Sequence, residues 1–487
     1  MRNVLLFIHW FQNGYKYEKH QTNFCFHCYL VIYHCFNFNI IIINTTKNMK
    51  KVLLALTCIA TTSTFAQQIN KPALDSLFLS LHEQKIGAGS VSIFENGKEI
   101  YSNSYGNRDY ESNLVNNNDT KFRIGSITKT FTATLIMKMI ENGKLTLETK
   151  LSKFYPKVKN ADKITIQNLL QHQSGINNIT SNKEFLEWYL QDLTKEQLLE
   201  KIYPLKSDFE PNTKEGYSNT NYILLGFILE DVSKKSFQDL IENIIIKPLK
   251  LKNTKVGGKI LINQNEAKSY NYFNNTYHLL PESSMTIPLG AGIMVSTPTD
   301  LNTFIYSLLN GKIVSEKSVK QMTTINDEFG FGLFYDKIND TKGIGHNGSI
   351  DGFSSYTFCF DHTAFCYAIT QNANEISKEL LKTNLYNATH NKKIEFPKKV
   401  ISIDVSSEIL EKYSHEYSSN ELPIAIKFFV EDGTFMAQGT GQSAFPLTAI
   451  STTEFEFAPA KIRINFNENG SEMKLIQNGK TFNFNKK

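Results

Sequence analysis

Hydrophobic and polar positions alternate from Ser90 to Phe94 and again from Lys98 to Tyr105, on either side of Asn96-Gly97. Period-two patterning around that dipeptide predicts a tight hairpin within Gly89–Tyr105. From Ile127 to Asn142 apolar residues fall on every side of a helical period. That predicts a helix buried around most of its circumference and stopped by Gly143. Helical spacing dominates from about Leu145 to Leu251, with loops at Gln173-Ser-Gly-Ile176 and Glu210-Pro-Asn-Thr213. Strands return between Phe329 and Thr370, and Glu375 to His390 reads as a closing helix. Past Phe396-Pro397-Lys398-Lys399, short alternating runs are punctuated by Asp432-Gly433, Asn469-Gly470 and Asn478-Gly479. Such spacing predicts a small antiparallel barrel or sandwich, read as a separate non-catalytic domain because it holds no cluster of reactive groups.

A chain of 487 residues is long for a single core, so two or more domains are expected. Its net charge of +5 arises at the N-terminal end, where residues 1–66 carry Arg2, Lys16, Lys19, Lys47, Lys50 and Lys51 against Glu18 alone. The remainder is electrically balanced and has no dense basic stripe, which argues against nucleic acid as a partner. Met49-Lys50-Lys51, the apolar run Val52–Ala60 and Thr64-Phe65-Ala66 follow the order of a signal peptide over residues 49–66. Met49 is therefore read as the initiator, and 1–48 as an over-called extension. The competing reading is a membrane anchor in Phe24–Ile43, but His27, His34, Asn37 and Asn39 interrupt it. Export to the periplasm or medium is expected, with membrane association only if this segment is retained. Cys58 lies too early in the apolar run for a good lipoprotein site. Beyond the leader, with its Cys25, Cys28, Cys35 and Cys58, only Cys359 and Cys366 remain, flanking the turn Asp361-His-Thr-Ala364. They would face each other across a hairpin, where an oxidising compartment would join them, although two buried thiols are the preferred expectation.

Three segments carry candidate chemistry. Ser126-Ile-Thr-Lys129 opens the buried helix, where positions one turn apart share a face, so a hydroxyl and an amine can meet. Serine needs a base to become a nucleophile, and lysine can be that base when burial lowers its pKa. The spacing alone is cheap: Ser471-Glu-Met-Lys474 repeats it in a strand-like run, where the two side chains face opposite ways. Tyr217-Ser218-Asn219 precedes an apolar helix and offers a phenol to relay protons and an amide to hold lysine and substrate. Its copy, Tyr101-Ser-Asn103, lies in the first hairpin and is read as structural. Gly345-His346-Asn347-Gly348-Ser349 leads into a strand, where glycines let substrate approach the backbone. His346 would add a donor whose charge depends on pH, its ordinary pKa being about 6.5, although a lone histidine beside glycines is more often structural. His172 is read as structural, with no neighbour to pair with it.

In this order the motifs resemble the serine β-lactamase and D-alanyl-D-alanine carboxypeptidase superfamily, in its class C-like branch. The likeness extends through Phe122-Arg-Ile-Gly-Ser-Ile-Thr-Lys-Thr-Phe131, Glu141-Asn-Gly-Lys-Leu145, Ile164-Thr-Ile-Gln-Asn-Leu-Leu170 and His172-Gln-Ser-Gly-Ile176, from about residue 70 to 390. It implies an α/β (α+β) domain over 67–395: an antiparallel sheet flanked by helices, with an inserted helical subdomain. The tail, 400–487, is similar to the lipocalin-like barrel often appended to such proteins. The resemblance also implies an acyl-enzyme route. Ser126 would attack, Lys129 would act as base and Tyr217 would pass the proton onward. Asn219 would position Lys129 and substrate, His346 and Gly348 would occupy the place of Lys-Thr-Gly, and the N–H groups of Ser126 and Ser349 would form the oxyanion hole. No metal or organic cofactor is implied. Histidine in place of lysine weakens the case for binding a β-lactam carboxylate. The expected function is thus a serine hydrolase of esters or D-amino-acid peptides, with a small-molecule or peptide substrate that includes cell-wall-derived compounds. The alternatives are true penicillin or cephalosporin turnover and a non-catalytic cell-envelope binding protein.

Overall fold

The computed structural model describes residues 69–487 apart from 274–275, 326, 398–402, 423, 441, 443, 458–459, 461 and 478. The expectations for the start site, signal peptide, anchor and four leader cysteines lie outside the described residues, as does part of the Phe396–Lys399 boundary. Asn96 and Gly97 both take positive φ, 50° and 79°, closing the predicted hairpin of β1 (Ala88–Glu95) and β2 (Lys98–Tyr105). These strands join β3 (Tyr270–Phe273), β4 (Thr276–Leu279), β5 (Phe334–Ile338), β6 (Thr341–Ile350), β7 (Phe353–Phe360) and β8 (Phe365–Ala373) in an eight-stranded sheet. Its main path runs β5-β6-β7-β8-β1-β2, antiparallel throughout. The short hairpin β3–β4 hangs from β8 through a parallel contact of Tyr270 with Ala373.

The labelled helices are α1 (Lys71–Gln84), α2 (Thr128–Glu141), α3 (Asn219–Ser233), α4 (Pro298–Leu309) and α5 (Lys378–Thr389). Helices α1 and α5 share an apolar core with one sheet face, where Leu74, Phe78, Leu381 and Leu385 meet Tyr367 and Ile369. On the other side, α4 packs on β1, β7 and β8 and joins α2 and α3 in a larger core. Helix α2 fulfils the expectation of burial all round. Its threonines satisfy themselves within that core. Thr128 Oγ1 accepts from Met294 N at 3.0 Å, and Thr130 and Thr132 donate to the carbonyls of Gly332 and Gly290 at 2.7 Å each. A helix with little exposed surface is thereby tied to neighbouring backbone as well as packed.

Helices Ile166–Leu170, Lys195–Ile202 and α3 form the inserted helical region. Between Leu251 and Phe329, where no element was predicted, lie β3, β4, α4 and the helix Glu316–Thr323. The expected Cys359 and Cys366 thiols are instead bonded: the two residues pair directly across β7 and β8, bringing their sulfurs together.

The predicted C-terminal β-structure comprises β9 (Glu416–Ser418), β10 (Ala425–Glu431), β11 (Thr434–Gly439), β12 (Phe445–Pro446), β13 (Thr448–Ala449), β14 (Glu454–Phe457), β15 (Ile462–Phe466), β16 (Glu472–Gln477) and β17 (Lys480–Lys486). Consecutive strands pair from β9 to β12 and from β13 to β17, and β17 returns to β9. The two end strands of this nine-stranded sheet, β12 and β13, are separated only by Leu447, so the meander wraps into a nearly closed barrel. Tyr417, Phe428, Phe455, Phe466 and Phe484 fill it.

Candidate active site

Phe122–Arg123 pairs with Met294–Ser296, after which the chain turns sharply through Gly125 into a 3-10 turn, Gly125–Ile127, that feeds α2. Ser126 therefore sits on the entry turn, and Lys129 one turn later on the helix proper. Ser355 of β7 pins this turn by donating its hydroxyl to the Ile124 carbonyl at 2.7 Å. Gly125 has φ +50°, and a Cβ there would stand 2.8–2.9 Å from the backbone of Ser349. A Cβ on Gly348 would meet Ile124 O at 2.0 Å and Ser126 N at 3.0 Å. The main chains of Gly125-Ser126 and Gly348-Ser349 thus lie against each other with no room for a side chain between them, which brings the two expected oxyanion donors side by side.

Lys129 is wholly buried. Its Nζ lies 2.9 Å from Ser126 Oγ and donates to Asn219 Oδ1 at 2.7 Å and to the Ala291 carbonyl at 3.0 Å. The rings of Tyr217 and Tyr222 close over it, 4.8 and 5.7 Å from their centroids. None of these partners is a carboxylate, and burial holds the amine well below the ordinary lysine range. Tyr217 donates its hydroxyl to Ser126 Oγ at 2.8 Å. Tyr217 as a whole is 37% exposed, yet its hydroxyl end is enclosed. Burial pushes the phenol up to about 12, against the opposing effect of the Ser126 hydrogen bond.

Asn219 begins α3 and is held on three sides. Its N–H donates to Asn178 Oδ1 at 3.0 Å, its Nδ2 donates to Thr180 Oγ1 at 2.9 Å, and its Oδ1 accepts from Lys129. Asn178, Thr180 and Ala291 escaped sequence reasoning because they stand in loops and turns that carry no motif. The expectation that His172 has no pairing neighbour is overturned. Buried, with φ +57°, it accepts from Ser218 N at 3.1 Å through Nδ1, and Asn221 Nδ2 lies 3.3 Å from the same atom. Its ring supports Tyr217 at 4.5 Å and Phe329 at 5.0 Å. Burial, then the Lys129 charge, keep His172 well below its usual range and therefore neutral.

His346 fits the structural alternative rather than a donor of pH-dependent charge. It is buried in β6, with Phe334 edge-on at 4.8 Å, and its Nδ1 lies 2.5 Å from the Asn347 carbonyl. A carbonyl only accepts, so Nδ1 carries the proton. Burial, then the Lys129 charge, push its pKa down to about 3, against the opposing backbone hydrogen bond. It is a neutral imidazole, not a group that changes charge near pH 6.5. The decoys resolve as read: Tyr101 lies on β2 and donates to Asp75 at 2.8 Å, and Lys474 lies on the barrel strand β16.

Above Ser126 opens a cleft of about 570 Å3, with Thr180, Asn219 and Ser349 among its polar lining and Leu186, Tyr189, Leu280 and Ile287 among its walls. No lysine or arginine is among the lining residues. Arg123 lies behind the rim, bound to Asp351.

Residues 65–389 match the Beta-lactamase family. The chain is 30% identical over 252 residues to the teichoic acid D-alanine hydrolase of Staphylococcus aureus, a match covering 50% of this chain and 62% of that protein. A D-stereospecific amidohydrolase from Streptomyces sp. superposes with a TM-score of 0.55 at 28% identity, over 62% of this chain and 94% of that one. The octameric penicillin-binding protein homologue from Pyrococcus abyssi shares the fold at TM-score 0.59 and 23% identity, over 85% of this chain and 100% of that one. With Ser126, Lys129, Tyr217 and Asn219 assembled in one pocket and the match spanning the sheet and its helices, the chain belongs to the beta-lactamase family.

Proposed function

We propose that this chain is an exported serine hydrolase that acts through an acyl-enzyme on esters or on D-amino-acid peptides and amides. The observation that carries the reading is the buried Lys129 amine, 2.9 Å from Ser126 Oγ and without a carboxylate partner. A neutral amine has two N–H bonds and one lone pair. Asn219 Oδ1 and Ala291 O take the two N–H bonds, which leaves the lone pair for the serine proton. Ser126 Oγ then attacks the carbonyl carbon, and the oxyanion forms beside the adjacent N–H groups of Ser126 and Ser349. Lys129 returns the proton through Tyr217 to the leaving alkoxide or amine, and water releases the acyl group by the reverse path.

The names of the Staphylococcus and Streptomyces relatives support D-configured acyl donors. The bonded pair Cys359–Cys366 supports export, since disulfides persist in oxidising compartments. Penicillins carry a carboxylate that calls for a cation, and none lines the cleft, so the β-lactamase reading is the weaker one. Ser126→Ala should abolish p-nitrophenyl ester turnover and fluorophosphonate labelling of the folded protein. Persistent turnover in that variant ends the proposal. Rapid nitrocefin hydrolysis by the wild type would restore the β-lactamase reading.

A further inference from the structure

A second cavity, of about 970 Å3, opens on the hairpin β3–β4 and is walled by Tyr110, Tyr270, Tyr272 and Tyr277. Tyr110 and Tyr277 stack with centroids 3.6 Å apart, Tyr270 meets Tyr110 edge-on at 5.0 Å, and Tyr272 leans on Tyr277 at 4.8 Å. The rings are anchored from behind. Tyr270 donates to the buried Asp109 at 2.7 Å and accepts from Tyr110 N at 3.1 Å. Tyr277 donates to the Lys85 carbonyl at 3.0 Å and accepts from Gly87 N at 3.2 Å. Held this way, the aromatic wall loses little freedom on meeting a ligand.

The rim is polar. Asn107, Asn113 and Glu111 border the same space, and Lys268 fixes the Glu111 carboxylate at 2.5 Å. Aromatic faces pack against C–H groups, while carboxamides and carboxylates at their edges pair with hydroxyls. A ligand that presents apolar C–H faces and equatorial hydroxyls together is a sugar ring. Lys85, His82 and His278 line the same space, while Lys268 beside it pairs with Glu111 and with Asp109 at 3.5 Å.

Its place in the fold links this cavity to Ser126. His278 and Leu279 line it, and the next residues, Leu280 and Pro281, line the cleft above the serine. Leu280 N donates to the Ser269 carbonyl at 3.0 Å, which holds this shared wall in place. We infer that the tyrosine cavity is a saccharide subsite, which holds one unit of a polymeric substrate while an acyl group carried on a neighbouring unit reaches Ser126. The binding claim stands on the cavity itself, and the link to acyl transfer rests on the function proposed above.

Binding and catalysis can be tested apart. Saturation-transfer NMR and calorimetry with an N-acetylglucosamine tetramer should show equal binding to the wild type and to Ser126→Ala. Tyr272→Ala should bind at least tenfold more weakly, Tyr272→Phe should retain binding, and both should turn over p-nitrophenyl acetate at the wild-type rate. No binding of the tetramer to the wild type overturns the proposal, as does binding that Tyr272→Ala leaves intact. Ester turnover that survives Ser126→Ala would instead sink the hydrolase mechanism and leave the saccharide result to stand by itself.

Discussion

Arg123 and Asp351 form a buried ion pair, Nη1 to Oδ2 at 2.5 Å, that ties the strand entering the nucleophile turn to the turn leaving β6. Their side chains are 2% and 5% exposed. The same guanidinium donates to Gly258 O at 2.8 Å and Ser283 O at 3.1 Å, and the other Asp351 oxygen accepts from the Ser283 hydroxyl. One cation, three residues before Ser126, thus fastens three segments, one of them two residues past Ser349.

Arg123 also holds Glu282 at 3.1 Å, so removing Asp351 leaves the guanidinium a partner, whereas removing Arg123 strands the buried Asp351 carboxylate. Arg123→Ala should cost about 3–5 kcal/mol of stability and Asp351→Ala less. Arg123→Lys, which keeps the charge but loses the fork, should lie between Arg123→Ala and the wild type. Urea unfolding monitored by tryptophan fluorescence measures each of these, and wild-type stability in Arg123→Ala would show that the pair is not structural.

Lys129 should set the acid limb of activity. As pH falls through its lowered value the amine gains a proton and loses the lone pair the serine needs, so kcat/KM declines. His346, held at about 3, should contribute nothing to that limb, and His346→Gln should leave its midpoint unmoved. Lys129→Arg, always charged, should be about as inactive as Lys129→Ala, with acylation at least ~10²-fold below wild type by stopped-flow. A midpoint that shifts in His346→Gln would place the histidine in the proton path.

Gly348→Ala should damage catalysis more than stability. Its Cβ would stand 2.0 Å from Ile124 O and 3.0 Å from Ser126 N, so the strand must retreat from the nucleophile turn. Losing one oxyanion donor costs roughly 10²–10³ in kcat, which steady-state ester kinetics would reveal. Near-normal kcat with an intact fold would put the oxyanion donors elsewhere.

The buried His172 and His346 predict acid sensitivity. Both have folded pKa values below the unfolded value, so the unfolded chain binds more protons as pH drops. Their contribution is fully present above about pH 6.5 and is lost as pH falls from there toward about 3. Thermal midpoints between pH 7 and 4 should fall, and less steeply in His346→Gln.

The Cys359–Cys366 bond closes a short loop, with a sequence separation of 7. In the chain-entropy account such a loop contributes roughly 2–3 kcal/mol. Dithiothreitol, or the double serine variant, should lower the unfolding midpoint accordingly while leaving ester turnover intact.

How far the sequence reached can be judged at particular residues. The first hairpin, the stop of α2 at Gly143 and the return of strands after Phe329 were legible from period and turn chemistry. The stretch between Leu251 and Phe329 was not, because β3 and β4 are short and pair with partners far along the chain. Within the site, Ser126 and Lys129 stood out by spacing only together with the buried helix they open and the two later motifs. Asn178, Thr180 and Ala291 reach the site through single contacts from loops and a turn, which leave no pattern, and His172 gave no hint of the partners it finds in Ser218 and Asn221.

The amino-acid order by itself determined what lies within one turn of backbone: the Asn96-Gly97 reversal, and the serine and lysine on one helical face. Only the folded arrangement decided charge. Whether Lys129 is a base and His346 a neutral ring depends on how completely other segments exclude water from them. Ionisation energy responds to the surrounding dielectric and to neighbours brought in from distant positions, and neither is written in local spacing.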